Sequence, residues 1–71
     1  GMGVITAFAW RAHLLVAGDT SGVLHVWNWR QRRGHTFPTG RGTVRRLRFA
    51  RGGGTSLLLV LFHDGDFAVW D

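Results

Sequence analysis

Along the 71 residues, apolar and polar positions alternate in short runs separated by clusters of Gly, Asp, Ser and Thr. A period of two belongs to strands, whose successive side chains point to opposite faces. β-Branched and aromatic residues fill the runs, so the pattern predicts seven strands, at 4–10, 13–17, 23–29, 33–37, 44–50, 57–62 and 67–70, and almost no helix. The fourth run is the weakest of the seven. Breaks fall at 18–22, 39–42, 52–56 and 63–66, as expected of successive hairpins. Asp64-Gly65 is the sharpest turn signal, because a tight turn needs a positive φ that Gly takes freely and Asp tolerates. Ser21-Gly22 stands in that place in the first hairpin, which is therefore expected to lack a carboxylate for the nearby backbone amides. Pro38 marks a loop leaving an edge strand. The run from Leu57 to Phe62 has no polar alternation, which predicts a strand covered on both faces.

The pattern also repeats on a longer scale. Gly22-Val23-Leu24-His25-Val26-Trp27-Asn28 and Gly65-Asp66-Phe67-Ala68-Val69-Trp70-Asp71 share a turn glycine and a Val-Trp-Asn/Asp ending, 43 positions apart. Upstream, residues 4–10 align with 44–50 at a separation of 40, and a longer turn at 51–56 is expected to absorb the difference. Units of about 40 to 45 residues ending in Trp-Asp mark a propeller blade.

On these residues the chain resembles the WD-repeat β-propeller family over its whole length. Ile5-Thr6, Ala9-Trp10, Gly18-Asp19, Arg48-Phe49-Ala50 and Val69-Trp70-Asp71 narrow the resemblance to late blades of the second propeller in one branch of that family. The resemblance implies an all-β fold, a fragment of a propeller with about two four-stranded antiparallel blades. Residues 1–40 form the first blade and 41–71 the second, which lacks its outer strand. Trp27, Trp70, Gly22, Asp64 and Gly65 hold the structural repeat positions. The family's usual hydrogen-bonded set joins such a Trp to a hydroxyl on the preceding strand, a His at the start of the blade and the Asp of the tight turn. Here Ala17 and Val60 stand where the hydroxyl belongs and Gly40 where the His belongs, while Gly34-His35 lies too far upstream to replace it. These blades are expected to rely more on apolar packing. Two repeats are also too few to cover their own faces, so a piece of a longer protein is expected, with the remaining blades as its partners.

Composition adds a chemical bias. All nine positive residues are Arg, the acids are only Asp19, Asp64, Asp66 and Asp71, and the net charge is +5, a balance that favours acidic partners. Without cysteine there are no disulfides, thiolate metal sites or thiol nucleophiles, a composition compatible with the cytoplasm. No apolar run approaches the roughly 20 residues needed to span a bilayer.

Candidate chemistry reduces to turns and one basic surface. His13, His25, His35 and His63 lack metal-ligand spacing. Asp19, Ser21 and His25 read as hairpin polarity rather than a triad. Gly52-Gly53-Gly54-Thr55-Ser56 reads as a flexible turn, since the lysine of a phosphate loop is missing. Asp64 and Asp66 read as turn residues. No catalytic residue, metal, cofactor or small-molecule substrate is expected, and no insertion into a membrane. Trp10, Trp27, Trp29, Trp70, Phe8, Phe49 and Phe67 are expected to pack in the core, with Trp29, just past the repeat ending, as the first exception.

Arg30, Arg32, Arg33 and Arg41 are the candidate partner-binding residues, since Arg grips carboxylates and phosphates bidentately. On the strand at 44–50, Arg46 and Arg48 should share one face, with Arg45, Leu47 and Phe49 on the other. The family resemblance implies a non-catalytic scaffold that binds proteins, including acidic-cluster segments, within a cytoplasmic complex at the trans-Golgi network and endosomal vesicles, with links to cilium formation. The alternative is an Arg-mediated nucleic-acid or nucleosome-linked binding module.

Overall fold

The computed structural model describes residues 3–52 and 55–70. All seven apolar runs become strands: β1 Ile5–Arg11, β2 Leu14–Asp19, β3 Val23–Asn28, β4 Arg33–Pro38, β5 Val44–Gly52, β6 Thr55–Phe62 and β7 Phe67–Trp70. They pair with their sequence neighbours into two antiparallel sheets, β1-β2-β3-β4 and β5-β6-β7. The described residues contain no helix.

The core lies between the two sheets. Val16 and Leu24 of the first meet Val44, Leu47, Val60 and Phe62 of the second, with Ala7 and Ala9 of β1 packed beside them. Closest approach falls at Gly18, where an added Cβ would come within 2.5 Å of a Val44 methyl. Val44 reaches that position because of a bulge. Its partner is Phe62 while the partner of Arg46 is Leu61, which leaves Arg45 as an extra, unpaired residue. Strict alternation would have set Val44 beside Arg46 and Arg48; the bulge turns it inward with Leu47, and Arg45 is exposed rather than facing the same way as Leu47. Arg46 and Arg48 do share one face, opposite Leu61 and Leu59. β1 bulges likewise at Thr6, whose hydroxyl donates to the carbonyls of Gly18 at 3.3 Å and of Val44 at 2.5 Å, joining the leading strands of the two sheets.

The strand register revises the longer-scale alignment. Phe8 pairs with Ala17 as Leu47 pairs with Val60, so β1 and β5 correspond at a separation of 39, not 40. The extra residues do not form a longer turn over all of 51–56. They extend the second hairpin by two rungs, Arg51 with Ser56 and Gly52 with Thr55; Gly53 and Gly54 lie outside the described residues. Within this chain β6 is covered on one face, with Val60 and Phe62 buried inward, while Leu59 is exposed on the side toward a following blade.

The connection between the sheets is fastened at both ends. Thr39 donates its backbone N–H and its hydroxyl to the Gly22 carbonyl, Thr43 donates its hydroxyl to the Thr20 carbonyl, and the His63 N–H reaches the Thr43 carbonyl. Gly22 and Gly65 both adopt positive φ, but their surroundings differ. A Cβ at Gly22 would fall on the Arg41 carbonyl oxygen, whereas one at Gly65 would meet open space. Gly65→Ala is expected to cost about 1–3 kcal/mol for the backbone conformation alone. Gly22→Ala should cost more, because the connection must also move. Thermal melts of the two variants that coincide would show that the contact at Gly22 contributes nothing.

Candidate interaction surface

The turns gather at two opposite ends of the sheets. At one end lie the β2-β3 turn, the connection at 39–43 and the β6-β7 turn; at the other lie the β1-β2 and β3-β4 turns. This separates the candidate arginines. Arg30 and Arg32 occupy the β3-β4 turn, Arg33 opens β4 beside them, and Arg41 stands at the far end.

Local chemistry forms the β3-β4 turn. Asn28 pairs with Arg33 at the last rung, and its side-chain oxygen accepts the Gln31 N–H at 3.0 Å. The Trp29 N–H donates to the His13 carbonyl, which holds the turn against its neighbour. Arg32 has a φ of 54°, a left-handed conformation that bends the chain back into β4. All three arginines are exposed, and among the described residues none lies within ion-pair distance of a carboxylate. Arg41 is engaged differently. Its guanidinium bonds Asp66 at 2.8 Å and lies over the Phe62 ring, 5.3 Å from the centroid. It clasps the connection to the second sheet, a contact between side chains that both see solvent and are screened accordingly.

The β2-β3 turn, expected to lack a carboxylate for its amides, is organised by Asp19. Asp19 is only 2% exposed. Its Oδ1 accepts the N–H groups of Ser21 at 2.9 Å and Val23 at 3.0 Å, and its Oδ2 accepts His25 Nε2 at 2.8 Å. The first hairpin therefore has its acid, three residues before the turn glycine rather than beside it. The spacing Asp19-Thr20-Ser21, an acid two residues before a turn amide, was the available signal. As the sequence suggested, Asp19, Ser21 and His25 are hairpin polarity. In the second hairpin Asp64 accepts the Asp66 N–H, its one side-chain hydrogen bond among the described residues, and stays exposed. Trp27 makes no side-chain hydrogen bond among the described residues, so the usual four-membered network is not assembled there.

The aromatic residues are a second correction. Of these seven, Phe49 packs against the core and Trp29 is exposed as the sequence suggested, while Phe8 and Trp10 are 64% and 67% exposed and Trp27, Phe67 and Trp70 are exposed as well. Most lie on sheet faces or edges that these two sheets leave uncovered. Phe8, Trp10 and Trp29 line one apolar depression on the outer side of the first sheet, with Ile5 and Leu15. The described residues hold no group of three His, Asp or Glu side chains placed for a metal.

Two successive antiparallel meanders, stacked face to face and related by a register that repeats, define a segment of a β-propeller built from WD repeats. The family model for the WDR11 second β-propeller matches residues 1–71, and the chain belongs to that family. It is 44% identical over 70 residues to the WD repeat-containing protein 11 of Danio rerio and 43% identical to that of Homo sapiens, in each case over 99% of this chain. It spans about 6% of the length of these curated relatives.

The His25 hydrogen bond, with the Val23 and Ser21 amides, holds the Asp19 carboxyl below its ordinary value of 3.8, against the opposing effect of burial. A carboxylate whose folded pKa is depressed stabilises the fold above its unfolded pKa, and that contribution is lost as pH falls through the folded value. Thermal stability should therefore decline as pH is lowered below about 3.8. Asp19→Asn keeps an oxygen for the Ser21 and Val23 amides but turns an NH2 group toward His25 and removes the charge that strengthens all three bonds, so it should lose about 1–3 kcal/mol at neutral pH and should melt with a flatter acid limb. An Asn variant with the wild-type melting temperature at pH 7 would overturn this account.

Proposed function

We propose that the chain is part of a non-catalytic interaction scaffold whose β3-β4 turn holds acidic segments of protein partners. The observation that carries this reading is the placement of Arg30, Arg32 and Arg33 on one exposed turn, with no ion-pair partner among the described residues, beside a rigid pair of sheets. Surface turns on a fixed framework are where proteins place recognition groups, and guanidinium groups match carboxylates in pairs. Arg41 belongs to the framework and not to this surface. Residues 1–40 and 41–71 serve as successive blades, the second without an outer strand, and the remaining blades are the first partners.

In its finer form the proposal places the scaffold in a cytoplasmic complex at the trans-Golgi network and endosomal vesicles. There it would support vesicle tethering and the sorting of acidic-cluster cargo, with a link to cilium formation. Membership of the WDR11 second-propeller family supports this reading, and the basic turn suits it. Changing Arg30, Arg32 and Arg33 together to Glu should weaken binding of an acidic-cluster peptide at least tenfold at low salt while leaving the melting temperature nearly unchanged. Peptide affinity that survives the triple change would remove the turn from the reading. Equal competition by single-stranded nucleic acid, with a steep salt dependence, would shift the function to nucleic-acid binding.

A further inference from the structure

The sheet order β1-β2-β3-β4 places β4 at one end of the first sheet. The leading strands β1 and β5 meet at the opposite end, where Thr6 bonds the Val44 carbonyl. Adjoining blades of a propeller pack on the faces of a sheet, whereas the free edge of β4 points outward in the plane of its own sheet. All six residues of β4 are exposed.

The pairing with β3 shows what this edge offers. In an antiparallel ladder, rungs that exchange both backbone bonds alternate with rungs that exchange none. The Thr39 N–H donates to the Gly22 carbonyl, one rung beyond Val23 with Pro38. Val23 with Pro38 is therefore an open rung, which suits a proline without an N–H. By the same alternation His25 with Thr36 and Trp27 with Gly34 are open, and the rungs between them are closed. The N–H groups of Gly34 and Thr36, and the carbonyls of Gly34, Thr36 and Pro38, consequently point away from β3. No register shift interrupts β3 with β4, although β1 and β5 both bulge. A regular edge of this kind is a template for one more strand.

We propose that β4 takes an extended acidic segment of a partner protein as a fifth, antiparallel strand of the first sheet. This rests on the scaffold reading above and supplies its mode of binding. The main chain of the segment pairs with Gly34, Thr36 and Pro38, and this pairing gives the affinity. Charge gives the direction. Arg33 opens β4, and Arg30 and Arg32 precede it in the turn, all exposed. An antiparallel strand passes Pro38 first and ends beside Arg33, so its carboxylates belong at its C-terminal end, within reach of the guanidinium groups. Long arginine side chains alone would hold the acids in either order; a paired strand holds them in one.

The test uses the complete protein that carries this segment and a peptide with a Thr-Val-Thr-Val run followed by an Asp-Glu-Asp-Glu run, with affinity read by fluorescence anisotropy. The same peptide with its two runs exchanged should bind about tenfold more weakly. N-methylation of the alternate set of peptide amides that faces β4 should weaken binding at least about tenfold, and methylation of the other set should leave it unchanged. Thr36→Pro removes an outward N–H without breaking a bond to β3 and should weaken binding to a similar degree, whereas Thr36→Ala should not. The methylated peptides leave the protein untouched, so they decide the matter even where Thr36→Pro disturbs the fold. Equal affinities for the two methylated peptides, or for the two orders of run, overturn the proposal. If the joint change of Arg30, Arg32 and Arg33 to Glu abolishes binding in that case, the turn reading stands and strand pairing alone falls. Undiminished binding to the triple-Glu variant overturns both.

Discussion

The structure depends on the contact of Val44 with Gly18. Two sheets pack at a spacing set by their side chains, about 10 Å in ordinary sandwiches, and here β5 of the second sheet meets β2 of the first where β2 has no side chain. An added Cβ at Gly18 would lie 2.5 Å from a Val44 methyl. Val44 takes that position only because Arg45 is looped out of the ladder, which moves Val44 from the outer face to the inner one. The Thr6 hydroxyl, itself on the bulge of β1, donates to the Val44 carbonyl. A bulge, a glycine and a threonine thus form one joint, and the order of the two sheets follows from it.

Much of this was legible in the sequence, and the missing parts have a common cause. Strands and turns were readable because they rest on local rules: period-two alternation, β-branched content, and glycine where φ must be positive. The repeat was readable because Val-Trp endings recur at a fixed offset from turn glycines. The bulges were not, since a one-residue slip in a ladder is decided by what the opposite strand and the opposite sheet accept. That slip misplaced Val44; it does not account for the one-residue change in the alignment of β1 with β5, because both strands carry the same bulge. Asp19 was legible as hairpin polarity but not as the organiser of its turn: a turn acid is expected beside the glycine, whereas the buried acid stands at the end of β2 and its carboxylate reaches the turn amides from there.

The arginines divide by the element that holds them. Those on the β3-β4 turn have no neighbouring sheet to meet and remain exposed cations. Arg41, on the connection, finds Asp66 and the Phe62 ring and becomes part of the joint between the sheets. Arg46 and Arg48 face outward beside leucines on a strand whose counterpart in the first sheet carries alanines. Net charge described all of them alike in the sequence, and only topology assigns them different work.

The two repeats solve one packing problem with opposite chemistry. Asp19 and Phe62 are counterparts by register, each at the end of the second strand of its sheet and each buried, at 2% and 0% exposure. Both begin the same turn, with the Gly22 N–H donating to the Asp19 carbonyl as the Gly65 N–H donates to the Phe62 carbonyl. In the first repeat the buried side chain is a carboxylate satisfied by two turn amides and His25, and polar bonds hold the turn shut. In the second it is an aromatic ring, and the turn is held from outside by Arg41 lying over that ring and bonded to Asp66. A carboxylate at the second position would have no His to meet it, since Ala68 stands where His25 stands. A phenyl ring at the first would leave the amides of Ser21 and Val23 without their acceptor. Each residue is fixed by its partners, which is why the family's usual hydrogen-bonded network can be absent from a repeat that still keeps the shape of the blade.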